Sequence, residues 1–174
     1  KTWFIRADIG HDDVQAVGDM LAHPLVHVGA SDGGSSAAFL IELARVLKDQ
    51  PREFTTEIIW LDGEEAFCRG WTDCGRPDSP DNTYGSRYYV AKAKEAGTLK
   101  SLKAFILLDM VGDRNLTIRR ETSSTHWLTD VIWAAARRLG HQTAFLDEKF
   151  EVGGDDHYPF LGAGIPSVDI IDLD

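Results

Sequence analysis

Glu64 and Glu65 stand side by side just after an Asp-Gly turn, in the run Leu61-Asp62-Gly63-Glu64-Glu65-Ala66-Phe67. Neighbouring side chains leaving a strand point in different directions, so one carboxylate can ligate a metal while the other faces a substrate. A solvated acidic turn is the plain alternative for a single pair. The pattern recurs, however: Gly10-His11-Asp12-Asp13, Ser31-Asp32-Gly33-Gly34, Leu108-Asp109 and Gly153-Gly154-Asp155-Asp156-His157 each put a carboxylate in or beside a turn. Helix capping is the ordinary role for Asp32. Several carboxylates cannot share a small region ionised without a cation or a raised pKa. A histidine among them points to zinc, with magnesium or manganese behind it.

The elements that must carry these turns are readable from apolar runs and stop signals. Strands are expected over 2–9, 57–61, 102–108 and 166–171, with a short edge strand over 115–119. Helices are expected over 37–47, closed by Pro51, and over 84–96, stopped by Gly97. A third helix is expected after a Ser123 or Ser124 cap, with an apolar face that includes Trp127, Val131, Ala134 and Leu139. Alternating buried strands and amphipathic helices predict a three-layer α/β/α sandwich with a mostly parallel central sheet. In such a sheet the strand-to-helix turns share one edge, so His11, Asp13, Asp32, Glu64, Glu65, Asp109 and Asp155 are expected to converge there. The long polar stretch 68–83, with Trp71 as its one large aromatic, is a candidate pocket wall.

A chain of 174 residues suits one domain with a substantial core. The formal charge of −10, with no Lys/Arg cluster, argues against a nucleic-acid partner. No apolar run is long enough to span a bilayer. Cys68 and Cys74 are compatible with a disulfide or with two thiols, which leaves the compartment open. His23 and His27 could share a helix face, but Pro24 lies between them, so they read as loop residues. Ser35-Ser36 sits in no Gly-x-Ser-x-Gly elbow, which disfavours a serine hydrolase.

Taken in order, Gly10-His11-Asp12-Asp13, Val28-Gly29-Ala30-Ser31-Asp32-Gly33-Gly34, Leu61 to Phe67, Tyr84-Gly85-Ser86-Arg87, Leu107-Leu108-Asp109, Asp155 to Phe160 and Gly164-Ile165-Pro166 cover nearly the whole chain. In that order they resemble the glutaminyl cyclases and their relatives among the co-catalytic zinc aminopeptidases. The resemblance implies zinc as cofactor, with Asp32 and Glu65 as ligands and Glu64 as general acid/base. It places Asp109 and Asp155 in a carboxylate network beside Glu64, and Trp71 in the substrate pocket. In the two-metal aminopeptidases the positions of His11 and Asp109 hold the other zinc.

The activity implied is conversion of the N-terminal glutamine of a peptide or protein to pyroglutamate. Two alternatives are a zinc aminopeptidase hydrolysing N-terminal residues and a non-catalytic scaffold. The scaffold is motivated by the family's third zinc ligand, a histidine in a segment after the last strand, which the sequence does not reach before Asp174. The family's amino-terminal helix is likewise not present, and Asp12 stands where tyrosine is usual. One domain over 1–174, without those two segments, is therefore expected. The resemblance alone would place the protein outside the cytoplasm, and it leaves the oligomeric state open.

Overall fold

Evenly apolar runs such as Ala104-Phe105-Ile106-Leu107-Leu108 are too short for buried helices and suit strands covered on both faces, whereas Ile58-Ile59-Trp60-Leu61, expected buried on the same ground, is only partly covered, with Trp60 43% exposed. The structure, a computed structural model, describes the backbone of residues 2–9 together with residues 30–66, 75–76 and 79–173. In chain order its elements are β1 (Thr2–Ile9), α1 (Gly33–Leu47), β2 (Thr55–Asp62), β3 (Gly75–Arg76), β4 (Ser79–Pro80), α2 (Tyr84–Glu95) and a 3₁₀ turn (Leu99–Ser101). There follow β5 (Leu102–Asp109), β6 (Ile118–Glu121), α3 (His126–Arg138), β7 (Phe145–Phe150), α4 (His157–Gly162) and β8 (Ser167–Ile171).

Strands β2, β1, β5 and β8 form one sheet in that spatial order, and every pairing in it is parallel. Side-chain alternation along β5 and β8 sorts the core into two layers. Ala104, Leu108, Val168 and Ile170 pack with Leu40 of α1 and with Leu128 and Trp133 of α3. Phe105 and Leu107 pack on the opposite side with Leu61, Phe160 and Ile165, against Tyr89 and Val90 of α2. Phe105 and Phe160 stack with ring centroids 3.8 Å apart, which fixes α4 to the sheet. The three-layer α/β/α arrangement is therefore present, with α1 and α3 on one face and α2 and α4 on the other.

Three local expectations are corrected. Helix α3 buries Leu128, Thr129, Trp133 and Ala136, whereas Trp127, Val131 and Leu139 are 50%, 58% and 68% exposed. The helix carries two apolar stripes, and periodicity cannot say which one meets the core. Trp133 decides it, because its indole N–H donates to the Leu146 carbonyl at 2.7 Å and its ring meets Phe145 edge-on. The cap of α3 is Thr125, not Ser123 or Ser124, whose hydroxyls are turned to Glu121. The edge strand begins at Ile118, three residues later than expected, because the Asn115 N–H donates to Asp113 Oδ1 at 2.7 Å and holds residues 113–115 in a turn. Its partner β7 has no strand signature in the sequence. The centre of β7, Asp147-Glu148-Lys149, is exposed and charged, and its acidic side chains are matched by Arg120 and Arg119 across the pair.

The junction between β2 and α2 is closely packed. A Cβ on Gly85 would lie 2.6 Å from the Asp62 carbonyl oxygen, so glycine is required for the first turn of α2 to reach the strand end. Gly85→Ala is expected to cost about 1–3 kcal/mol through this backbone clash. A urea midpoint unchanged from the parent would contradict it.

Candidate active site

The chain leaves β1 for β2 on one side and later returns to β5 on the other. A reversal of strand order of this kind opens a crevice beyond the carboxyl ends of the strands. Here the crevice is a cavity of about 260 Å³ lined by Asp32, Glu64, Glu65, Asp109, Met110, Val152, Gly154, Asp155, Ile171 and Leu173. Strand β2 delivers Glu64 and Glu65, β5 delivers Asp109, and the loop before α4 delivers Asp155. Asp32 occupies the cap position of α1, yet its side chain makes no capping bond to that helix. Capping, its ordinary role, is therefore not the one it takes.

Burial divides the five carboxylates. Glu64, Asp109 and Asp155 are buried, at 9%, 9% and 2% exposure, whereas Asp32 and Glu65 are half-buried at the mouth. The backbone holding them is strained at two points: Thr83 and Met110 have φ of 47° and 50°, a left-handed conformation uncommon for residues with a side chain. Both adjoin the site. Thr83 N–H donates to the Glu64 carbonyl at 2.7 Å and Tyr84 N–H to that of Gly63 at 2.8 Å, so the start of α2 fixes the Glu64 turn. Met110 directly follows Asp109. Arg87 in turn pins the chain before α2, donating to the carbonyls of Pro80 and Asn82. A second cavity of about 390 Å³, lined by Pro80, Asn82, Thr83, Arg87, Tyr158 and Pro159 among others, shares Gly154 and Asp155 with the first. His11, Asp12, Asp13, Trp71, Cys68 and Cys74 lie outside the described residues.

Residues 9–174 match the model of peptidase family M28. The chain belongs to that family. Among curated relatives of this M28 chain, the glutaminyl-peptide cyclotransferase of Bos taurus is 29% identical over 176 residues, covering 84% of the chain and 47% of the relative. The crystal structure of an Acidobacteriales bacterium glutaminyl cyclase superposes with a TM-score of 0.83 at 35% identity, covering 99% of this chain and 54% of that one. A Zn-dependent exopeptidase from Parabacteroides distasonis superposes with a TM-score of 0.76 at 28% identity, over 100% and 60% of the two chains. The chain thus spans about half the length of the curated relatives it matches.

Behind the M28 cavity lies a polar cluster that spacing in the sequence does not reveal. Glu121, at the end of β6, is buried and accepts bonds from the N–H and hydroxyl of Ser123 at 3.0 and 2.7 Å and of Ser124 at 2.7 and 2.9 Å. His157 Nε2 lies 2.9 Å from Ser123 Oγ and 3.3 Å from Glu121 Oε2. Burial alone would push the Glu121 pKa up, but the bonds from His157, Ser123 and Ser124 overcome it and hold the value down at about 2. The neighbouring Asp156 accepts from Ser86 Oγ, tying α4 to α2. Asp156 and His157 follow Asp155 in sequence, so this packing also anchors a residue of the cavity. The only signal in the sequence is Asp-Asp-His together with a strand bearing Asp169, two acidic features inside otherwise apolar surroundings.

Proposed function

We propose that this chain carries the catalytic half-site of a zinc-dependent glutaminyl-peptide cyclotransferase. The observation that carries the reading is the grouping of buried Glu64, Asp109 and Asp155 with half-buried Asp32 and Glu65 around one cavity. The cyclotransferase and cyclase relatives support the substrate class, a peptide or protein N-terminus.

Zinc fits the donor set. Asp32 and Glu65 bring carboxylate oxygens from two different turns to the cavity mouth, and carboxylate is a normal zinc ligand. His11 is proposed as a further ligand from the β1 side. When bound, zinc supplies Lewis acidity toward the carbonyl of the substrate's side-chain amide. The chain's own residues handle the proton. As the α-amine nitrogen attacks the side-chain amide carbon, Glu64 accepts the proton that nitrogen loses and delivers it to the departing amide nitrogen, which leaves as ammonia. One C–N bond forms and one breaks, so no other reactant is needed. Asp109 and Asp155 wall the buried side of Glu64, and the adjoining 390 Å³ cavity, with proposed help from Trp71, would receive the residues that follow the glutamine.

A second reading, an aminopeptidase in which Glu64 activates water, is favoured by the Zn-dependent exopeptidase neighbour. Incubation with an N-terminal glutamine peptide and, separately, an aminoacyl amide distinguishes them: pyroglutamyl peptide without free amino acid supports the cyclase, and the reverse overturns it. Metal content gives an independent prediction. About one zinc per chain is expected, and Asp32→Asn or Glu65→Gln should each lower the affinity by about 10-fold or more. Two equivalents would favour the aminopeptidase, and a folded protein with none would favour the scaffold.

A further inference from the structure

In the β5–β8 register Asp109 faces Ile171 and Leu107 faces Asp169. Alternation therefore puts Asp169 on the same sheet face as Asp109, one row deeper than the cavity floor. Asp169 and His157 have no solvent exposure, and one ligand atom from each of Asp155, His157 and Asp169 lies within 4.8 Å of the other two. The Asp169 N–H donates to Ser124 Oγ at 3.0 Å, but among the described residues no N–H or O–H group donates to either of its carboxylate oxygens.

The histidine does not resolve this. Ser123 Oγ spends its one proton on Glu121 Oε2, so at 2.9 Å it must accept from His157 Nε2–H. That leaves His157 Nδ1 at 3.7 Å from Asp169 Oδ2, beyond hydrogen-bonding distance. An ionised carboxylate without donors in a dry interior is the most costly state such a group can adopt. Two carboxylates in contact can bond to each other only if one of them holds a proton.

We propose that Asp169 is held as the neutral acid and donates its proton to Asp155, making it a positioning residue that fixes Asp155 as an acceptor at the back of the site. This rests on the reading of Asp155 as part of the catalytic network. The surroundings all favour protonation. Burial first, then the charges of Asp155, of Asp109 on β5 and of Glu121 on β6, and the hydrogen bond to Asp155, push the Asp169 pKa well above the ordinary carboxylate value. Among the described residues, His157 on α4 is the group facing it that could carry a positive charge, and its Nε2 is turned to Ser123 and Glu121, away from Asp169.

Asn and Leu at position 169 separate the possibilities. Asp169→Asn keeps a neutral side chain with a donor and should leave the denaturation midpoint at neutral pH equal to or above the parent. A folded-state pKa above the unfolded one means that the acid favours folding below the unfolded pKa and that this gain is lost as pH rises. The Asn variant should therefore gain on the parent as pH is raised from the acid side to neutrality. Infrared difference spectra at neutral pH should contain a protonated-carboxyl stretch that Asp169→Asn removes. Turnover should stay within about threefold in Asp169→Asn and fall on the order of 10- to 100-fold in Asp169→Leu, because Asp155 is no longer held. Absence of the protonated-carboxyl band, or an Asn variant destabilised as much as the Leu variant, would overturn the inference. Stability and infrared spectra need no turnover, so an inactive protein with the band would refute only the cyclase reading, and an active one without it only the proton assignment.

Discussion

Glu64→Gln is expected to lower kcat on an N-terminal glutamine peptide by about 10²- to 10⁴-fold, the usual contribution of a positioned proton-transfer group. The substitution is nearly isosteric at a side chain only 9% exposed, and it leaves the anchoring bonds of the turn in place, because Thr83 and Tyr84 bond the backbone of residues 63 and 64 and not the carboxylate. Zinc content should therefore persist, since Asp32 and Glu65 are untouched, and KM should change little. Glu65→Gln makes the contrast: it sits one residue away at the cavity mouth and should lose metal together with activity. A Glu64→Gln protein that is folded, loaded with zinc and retains more than a tenth of parental kcat would sink the assignment of Glu64 as the proton carrier. The same result would be hard to reconcile with the aminopeptidase reading, which gives Glu64 the same kind of work on a different nucleophile.

The residues at strand ends are legible in the sequence because their placement follows from topology. Once β2 and β5 are recognised as parallel neighbours of β1, Glu64, Glu65 and Asp109 must emerge at one edge, and Asp32 and Asp155 enter it from the turns before α1 and α4. Side-chain direction on helices is less legible. Helix α3 has apolar residues on both sides, and the choice of Trp133 over Trp127 as the core tryptophan depends on a carbonyl at Leu146, in a strand whose charged centre hides it from a hydrophobicity reading. The cluster behind the site is hidden for a different reason. Glu121, Ser123, Ser124, His157 and Asp169 come from three separated stretches, and no spacing rule links them. Ser123 and Ser124 even carry a good helix-cap signature, but satisfying the buried Glu121 outweighs capping α3, where Thr125 takes the cap position in their place.

That competition sets the largest stability effect expected in the molecule. Glu121→Ala removes an acceptor that satisfies two N–H groups and two hydroxyls and lies 3.3 Å from His157 Nε2, leaving the groups of Ser124 and His157 in a buried interior and those of Ser123 half-buried. Breaking a buried charged network by deleting one partner costs about 3–5 kcal/mol, against a total stability of about 5–15 kcal/mol for a domain. Glu121→Gln keeps shape and one acceptor oxygen but places an NH₂ among donors, so it should recover only part of the loss. The pH dependence has a definite sign. The folded-state pKa of Glu121 is about 2, against 4.5 for an ordinary glutamate, so its contribution is complete above about pH 4.5 and is lost as pH falls toward 2. Asp169 acts in the opposite direction, because its raised pKa favours the folded state as pH falls. Acid unfolding of the parent should therefore be steeper than that of Glu121→Gln between about pH 4.5 and 2, whereas Asp169→Asn should differ from the parent at higher pH, above the unfolded pKa of an aspartate. Equal slopes in parent and Glu121→Gln, measured by fluorescence across that range, would mean that the serine and histidine bonds to Glu121 do not favour its ionised form. The cluster would then be packing around Asp155 without an electrostatic share in holding it.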